Sequence, residues 1–168
     1  QYSGKKLQFF DPELNQSYVP YVIETSVGLD RMFLAILSAA YQEEQLPDGS
    51  ERVVLKIPAV LAPYKAAILP LIKKDGLPEK AREIMADLQL EYSLQYDEKD
   101  SIGKRYRRQD AIGTPYSITV DHQTLEDNTV TIRDRDTMEQ QRVSLAELEQ
   151  ILAKKASWKS VLSALRLQ

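Results

Sequence analysis

Lys65-Ala66-Ala67-Ile68-Leu69-Pro70-Leu71 is the stretch on which the fold turns. Its unbroken apolar run from Ala66 to Leu69 reads as a buried strand, since a half-buried strand would alternate with polar residues. Downstream, Pro78 stands where a helix accepts proline, and Ala81, Ile84, Met85 and Leu88 recur at helical spacing on one stripe. Residues 94–97 read as a short strand and residues 101–112 as a polar helix rich in cations, stopped by Gly113-Thr114-Pro115. Residues 116–120 alternate as a strand. Glu126-Asp127-Asn128 reads as a turn into a further alternating strand at 129–133, and residues 141–143 as another. Ser144-Leu145-Ala146-Glu147 has the Ser-x-x-Glu form that satisfies two free amides at a helix start. The helix it opens turns Leu145, Leu148, Ile151 and Leu152 inward. A final short helix carries Trp158, Val161, Leu162 and Leu165. The order β-α-β-α-β-β-β-α predicts an α/β fold, a mixed five-stranded sheet with flanking helices.

Upstream, Pro58 and Pro63 bracket a linker, which divides the chain into residues 1–60 and 61–168. In the first part, residues 7–10 and 18–24 are β-rich around Asp11-Pro12-Glu13-Leu14-Asn15-Gln16, a turn-forming cluster, and predict a hairpin. A helix follows from about Leu29 to Glu44, with Phe33, Leu34, Leu37 and Tyr41 on one face. It ends at Leu46-Pro47-Asp48-Gly49-Ser50, and residues 52–57 form a short strand.

Within this part, Pro20-Tyr21-Val22-Ile23-Glu24-Thr25-Ser26-Val27-Gly28-Leu29-Asp30-Arg31 reads as a buried strand, a tight turn at residues 26–28 and a helix start. Glu24, Ser26 and Arg31 then converge on one corner. A cation is unfavourable at the positive end of a helix dipole. Arg31 therefore either pairs on the surface with Glu24 or Asp30, or faces a polyanion that suits both guanidinium and helix N-terminus. A second polar cluster is Ser101-Ile102-Gly103-Lys104-Arg105-Tyr106-Arg107-Arg108-Gln109-Asp110. Four cations around a tyrosine can hold phosphates while the ring stacks on an unpaired base. The alternative is a solvated basic face paired with Asp97, Glu98 and Asp100. Arg133-Asp134-Arg135-Asp136 alternates in sign along a strand, the pattern of a cross-strand salt ladder. His122 reads as a hydrogen-bonded residue at a strand end.

Bulk properties narrow the function. The 168 residues carry 43% hydrophobic and 28% charged residues, an ordinary soluble composition with room for one core and an appendage. A net charge of −3 excludes nucleic-acid binding by bulk electrostatics, so any such contact needs a local patch. The absence of cysteine excludes disulfides and thiolate metal sites, and the single histidine, His122, argues against a histidine-based triad or metal site. No apolar run approaches the ~20 residues of a membrane span. The chain opens on Gln in mid-pattern and reads as a piece of a longer protein.

Together these stretches resemble the C-terminal part of a class II glycyl-tRNA synthetase of the homodimeric type. Residues 20–37 resemble the third class-defining motif, with Tyr2-Ser3-Gly4 and residues 5–10 resembling the segment before it. Residues 101–115 (SIGKRYRRQDAIGTP) and 121–138 (with TLEDNTVTIRDRDTM) resemble the anticodon-binding domain shared by related synthetases. The resemblance implies that residues 1–60 are a small hairpin–helix–strand remnant of an antiparallel catalytic domain and residues 61–168 the anticodon-binding domain. It implies ATP-dependent activation of glycine and transfer to tRNA(Gly), with Mg2+ accompanying ATP, in a cytoplasmic homodimer. Arg31 would be the catalytic group on the ATP triphosphate, with Glu24 and Gly28 also in the ATP site. Glu24 and Ser26 would hold the glycine ammonium, in a pocket that discriminates by exclusion. Lys104, Arg105, Tyr106, Arg107 and Arg108 would contact tRNA, with Arg133 and Arg135 as further contacts. Thr25 stands where many relatives have proline, and Asp30 where glutamate is common. The first two class motifs are not in these residues, so this chain is expected to form no adenylate by itself. The competing expectation is a non-catalytic paralogue that uses the same α/β module to bind nucleic acid or a partner.

Overall fold

The computed structural model describes residues 4–165, so Tyr2 and Ser3, placed above before the third motif, lie outside the described residues. The chain forms two compact units, residues 1–33 and 34–168. These units divide in space after Phe33, whereas the sequence division at 60/61 follows the prolines. Residues 34–60 pack with residues 61–168 because the second strand of their hairpin lies against the helix at residues 102–112.

The first unit holds β1 (Phe9–Asp11) and β2 (Gln16–Tyr18), an antiparallel hairpin with Phe9 opposite Tyr18. Asp11 Oδ1 accepts from the amides of Glu13 and Leu14, which sets the turn. The strand expected to run to Glu24 ends at Tyr18, and residues 19–28 have no regular structure and are exposed. A strand needs a hydrogen-bonded neighbour, and among the described residues none lies alongside this one. Helix α1 (Leu29–Ala40) begins with the Met32 amide donating to the Gly28 carbonyl.

Helix α1 ends at Ala40, four residues earlier than its sequence suggests, and the chain enters β3 (Tyr41–Gln45) directly. Gln42, Glu43 and Glu44 favour helix, but pairing with β4 (Glu51–Leu55) overrides that preference. The register sets Tyr41 opposite Leu55 and Glu44 opposite Arg52, closed by a turn in which Gly49 takes φ +80°. Alternation buries Arg52 and Val54 beneath the hairpin. Ala40, Ile57 and Ala62 form a small core there, with Ile36, Leu37 and Leu55 against it.

The main sheet follows, formed by β5 (Ala66–Pro70), β6 (Leu94–Tyr96), β7 (Tyr116–Val120), β8 (Thr129–Asp134) and β9 (Gln140–Ser144) in the order β6-β5-β7-β8-β9. The first three strands are parallel and the last two antiparallel, which is the mixed five-stranded sheet the sequence predicts. The register gives the sheet two unlike faces. Ala66, Ile68, Ile118, Val120, Val130, Ile132 and Val143 form one core with Ala81 and Ile84 of α2 (Leu77–Leu88) and Leu148 and Leu152 of α5 (Leu145–Lys155). The alternate residues Ser117, Thr119, Thr131 and Arg133 make the opposite face polar. That face takes α3 (Ile102–Ile112), which in turn packs against β4.

One local expectation changes and one holds. The turn expected at residues 126–128 is the end of a short helix, α4 (His122–Asp127), capped by Asp121 and closed by Asn128 in the left-handed conformation. The capping box at Ser144 forms as expected, with reciprocal bonds between Ser144 and Glu147. The last helix is α6 (Trp158–Leu165).

Candidate nucleic-acid interface

Helix α3 carries most of the cations singled out in the sequence, and the structure divides them sharply. Its C-cap, Gly113, takes φ +84°, and a Cβ there would lie 3.0 Å from the Ile57 side chain and 3.1 Å from the Leu55 carbonyl. Only glycine lets the helix end pass this close to the β4 strand.

Three of the arginines are interior groups. Arg105 is 2% exposed and donates to the backbone carbonyls of Pro70 and Leu71. Arg133 donates two bonds to the Asp110 carboxylate, at 2.8 and 3.0 Å. Asp110, 1% exposed, also accepts from Arg52 at 3.1 Å, so one carboxylate joins α3, β4 and β8. Arg52 further bonds Glu44 and the Arg135 carbonyl. Arg135 donates to the carbonyls of Gly113 and Ile57 and pairs with Asp136. The salt ladder expected at residues 133–136 is therefore absent, because Arg133 reaches across to α3 and Arg135 ties two loops. As solvent-facing RNA contacts, Arg105, Arg133 and Arg135 are corrected: their guanidinium groups are enclosed and already bonded. Tyr106 is half-buried, its hydroxyl 2.7 Å from Thr119 Oγ1 and its ring beneath the Arg133 guanidinium at 4.8 Å.

The remaining cations face outward. Arg108 pairs with Asp97 and Asp100, the solvated arrangement weighed as the alternative for this helix. Its hydrogen bond holds the Asp100 carboxyl below its usual range. Arg107 bonds Ser50 Oγ at 3.2 Å and stays partly open. Lys104 is exposed, with no hydrogen bond or close ion pair among the described residues. It stands in the first turn of α3, where Ser101 makes no side-chain cap and no acidic residue intervenes.

This helix start lies at the carboxyl end of the parallel strands. Pro70 is level with Val120, and the Asp97 amide bonds the Ile68 carbonyl, so the chain leaves β5, β6 and β7 on the same side. Connections run from β5 to β6 on one flank and from β6 to β7 on the other. That reversal is where open α/β sheets leave a binding crevice. Exposed Lys73 and Lys74 follow β5, Lys99 follows β6, and His122 follows β7 with its Nε2 3.0 Å from Asp75 Oδ2. Lys73 and Lys74 were missed in the sequence; the signal available was a lysine pair just beyond the central strand. At the opposite end, a groove of about 450 Å³ is lined by Tyr116, Asp134, Glu139 and Lys155. Burial pushes the Tyr116 hydroxyl up to about 12, and the two carboxylates make that groove unsuited to phosphate.

In the first unit, Glu24, Ser26, Gly28 and Arg31 are all exposed. Among the described residues no hydrogen bond or ion pair engages Glu24, Ser26 or Arg31, so the surface pairing of Arg31 with Glu24 or Asp30 does not form. Among the described residues no group of three or more metal-ligating side chains occurs, and no helix is long and apolar enough to cross a membrane.

Comparison with known proteins agrees with this architecture. The glycine–tRNA ligase of Chlorobaculum tepidum is 52% identical over 155 residues, which are 92% of this chain and 33% of that protein. That of Clostridium beijerinckii is 56% identical over 149 residues, 89% of this chain and 32% of its own. The chain thus spans about a third of the length of the relatives it matches. A solved structure of the RNA binding domain of threonyl-tRNA synthetase from Cryptosporidium parvum shares the fold, with a TM-score of 0.55 and 23% identity over 60% of this chain and 26% of that one. Residues 65–155, from the central strand to the end of α5, match the family described as anticodon binding domain, and the chain belongs to that family.

Proposed function

We propose that this chain is the tRNA-reading part of a glycine–tRNA ligase, together with one wall of the ATP and glycine site. The observation that carries the reading is the 52–56% identity to glycine–tRNA ligases over about nine-tenths of the chain. The cation-bearing carboxyl end of the sheet supports it chemically. An acidic protein needs such a local patch to hold RNA. Lys104 and Arg107 are the α3 groups best placed to meet phosphates, while Arg105 and Tyr106 shape the helix from behind. Arg108 would have to exchange its carboxylate partners for phosphate.

In the longer protein, glycine is activated by ATP and passed to tRNA(Gly), in a cytoplasmic homodimer. Arg31 and the start of α1 would meet the triphosphate, where guanidinium and helix N-terminus both favour an anion. Glu24 and Gly28 would border the ATP, and Glu24 and Ser26 would hold the glycine ammonium. The described residues offer no cluster to cage Mg2+, so the ion would arrive on the ATP phosphates, its usual mode, with at most one carboxylate from here.

Fluorescence anisotropy of a labelled tRNA(Gly) anticodon stem-loop tests the tRNA half. The chain should bind with an affinity that falls as salt rises. Lys104→Ala combined with Arg107→Ala should weaken binding and reduce the logarithmic salt slope by about one to two. An unaltered slope in the double variant would remove α3 from the interface. The same chain should give no glycine-dependent pyrophosphate exchange, and turnover in that assay would refute the one-wall reading.

A further inference from the structure

Arg105 is buried, charged, and has no carboxylate partner among the described residues. Its Nε is also buried without a hydrogen-bond partner. Such a guanidinium carries a desolvation cost that an apolar side chain of similar volume would avoid. What it does, and an apolar side chain could not, is fix two successive peptide carbonyls with a rigid fork of donors. Those carbonyls belong to Pro70 and Leu71, where the central strand leaves the sheet. The Leu71 amide is held as well, donating to the Val120 carbonyl at 2.7 Å.

The loop that begins there, residues 71–76, is fixed at its far end too. Asp75 and Gly76 take left-handed conformations, φ +60° and +78°. The Leu77 amide bonds the Lys74 carbonyl at 3.2 Å, and the Asp75 carboxylate meets His122 at 3.0 Å. Between these two anchors stand Lys73 and Lys74, exposed and without an ion pair among the described residues. Leu71 and Ile72 precede them, 36% and 38% exposed. Two free ammonium groups beside an open apolar edge suit a phosphate backbone with an unstacked base, and the loop is ordered before RNA arrives.

We propose that residues 71–76 are an RNA-contacting loop, Lys73 and Lys74 meeting phosphates and Leu71 and Ile72 a base, and that Arg105 is its positioning residue. The proposal rests on the tRNA-binding reading above and adds a second element to it. Arg105 acts through the loop without touching RNA, which separates it from Lys104 on the preceding position of the same helix.

A double-variant cycle on the full chain, read by anisotropy with the anticodon stem-loop, tests it. Lys73→Ala with Lys74→Ala should weaken binding about tenfold and lower the salt slope by about one to two. Arg105→Lys, which keeps the charge but loses the fork, should weaken binding by a similar factor. Adding it to the lysine pair should cost little more, because both changes remove the same contacts. His122→Ala, at an exposed position where folding is insensitive, should weaken binding more mildly through the far anchor. Additive losses would make Arg105 an independent group and overturn the positioning role. Should Arg105→Lys fail to fold, Arg105→Gln takes its place in the cycle with the lysine pair and decides by the same non-additivity. Unchanged affinity in the lysine pair, while Lys104→Ala still weakens binding, overturns the loop and spares the tRNA reading. No binding by the unaltered chain overturns that reading itself.

Discussion

Two polar clusters, at residues 24–31 and at residues 101–110, carry similar residue types and meet opposite fates. Glu24, Ser26 and Arg31 lie exposed, without an internal partner among the described residues. On α3, Arg105 and Asp110 are interior, and Arg133 and Arg135 join them from outside the helix. The difference teaches that a run of cations is informative only once its carboxylates and carbonyls are placed. The enclosed guanidinium groups hold the fold, and the open ones remain available to ligands.

The largest effect should come from breaking the interior cluster. Asp110→Ala strands the buried Arg133 and leaves Arg52 with Glu44 as its one carboxylate partner, and removing one partner of such a buried set costs roughly 3–5 kcal/mol. Urea unfolding should register most of this loss; under ~1 kcal/mol would mean the three charges are well solvated and the contrast with residues 24–31 is false.

An intermediate effect should follow acid titration at the rim of that cluster. Hydrogen bonds from Lys56, then Arg52, hold the Glu44 carboxyl below its ordinary value despite some desolvation. Because the folded value is the lower one, this contribution is complete above the unfolded value and is lost as pH falls through the folded one. Glu44→Gln should therefore flatten the acid limb of a stability–pH curve. A limb of identical steepness in both proteins would show that Glu44 is not held by its cations.

The smallest effect belongs to the exposed cluster. Arg31→Ala should move the unfolding free energy by less than ~0.5 kcal/mol, as expected of a surface group without partners. In the longer protein the same change should depress glycine-dependent pyrophosphate exchange. A large stability loss in this chain would give Arg31 a structural partner and erase the comparison.

Most of the main sheet was legible because each element announced itself locally. The apolar run at 66–69, the alternation at 116–120 and 129–133, the Ser144 capping box and Gly113 all stand where the sequence puts them. The alternation also wrote the two sheet faces in advance, apolar toward α2 and α5 and polar toward α3. The resemblance of residues 101–115 and 121–138 to an anticodon-binding domain was legible too, and both stretches lie within the residues 65–155 that match that family.

Tertiary structure alone decided the rest. Residues 41–45 have helical propensity, yet pairing with residues 51–55 makes them a strand, and no window on residues 41–45 contains that partner. Residues 19–24 have strand propensity, yet without a neighbouring strand among the described residues they form none. Arg133 finds Asp110 across a separation of 23 residues, and Arg52 finds it across 58. Local propensity and periodicity act over a few residues and are written in the chain, whereas burial and pairing depend on what distant segments bring alongside. A sequence therefore states which residues are charged; only the fold states which charges are already answered.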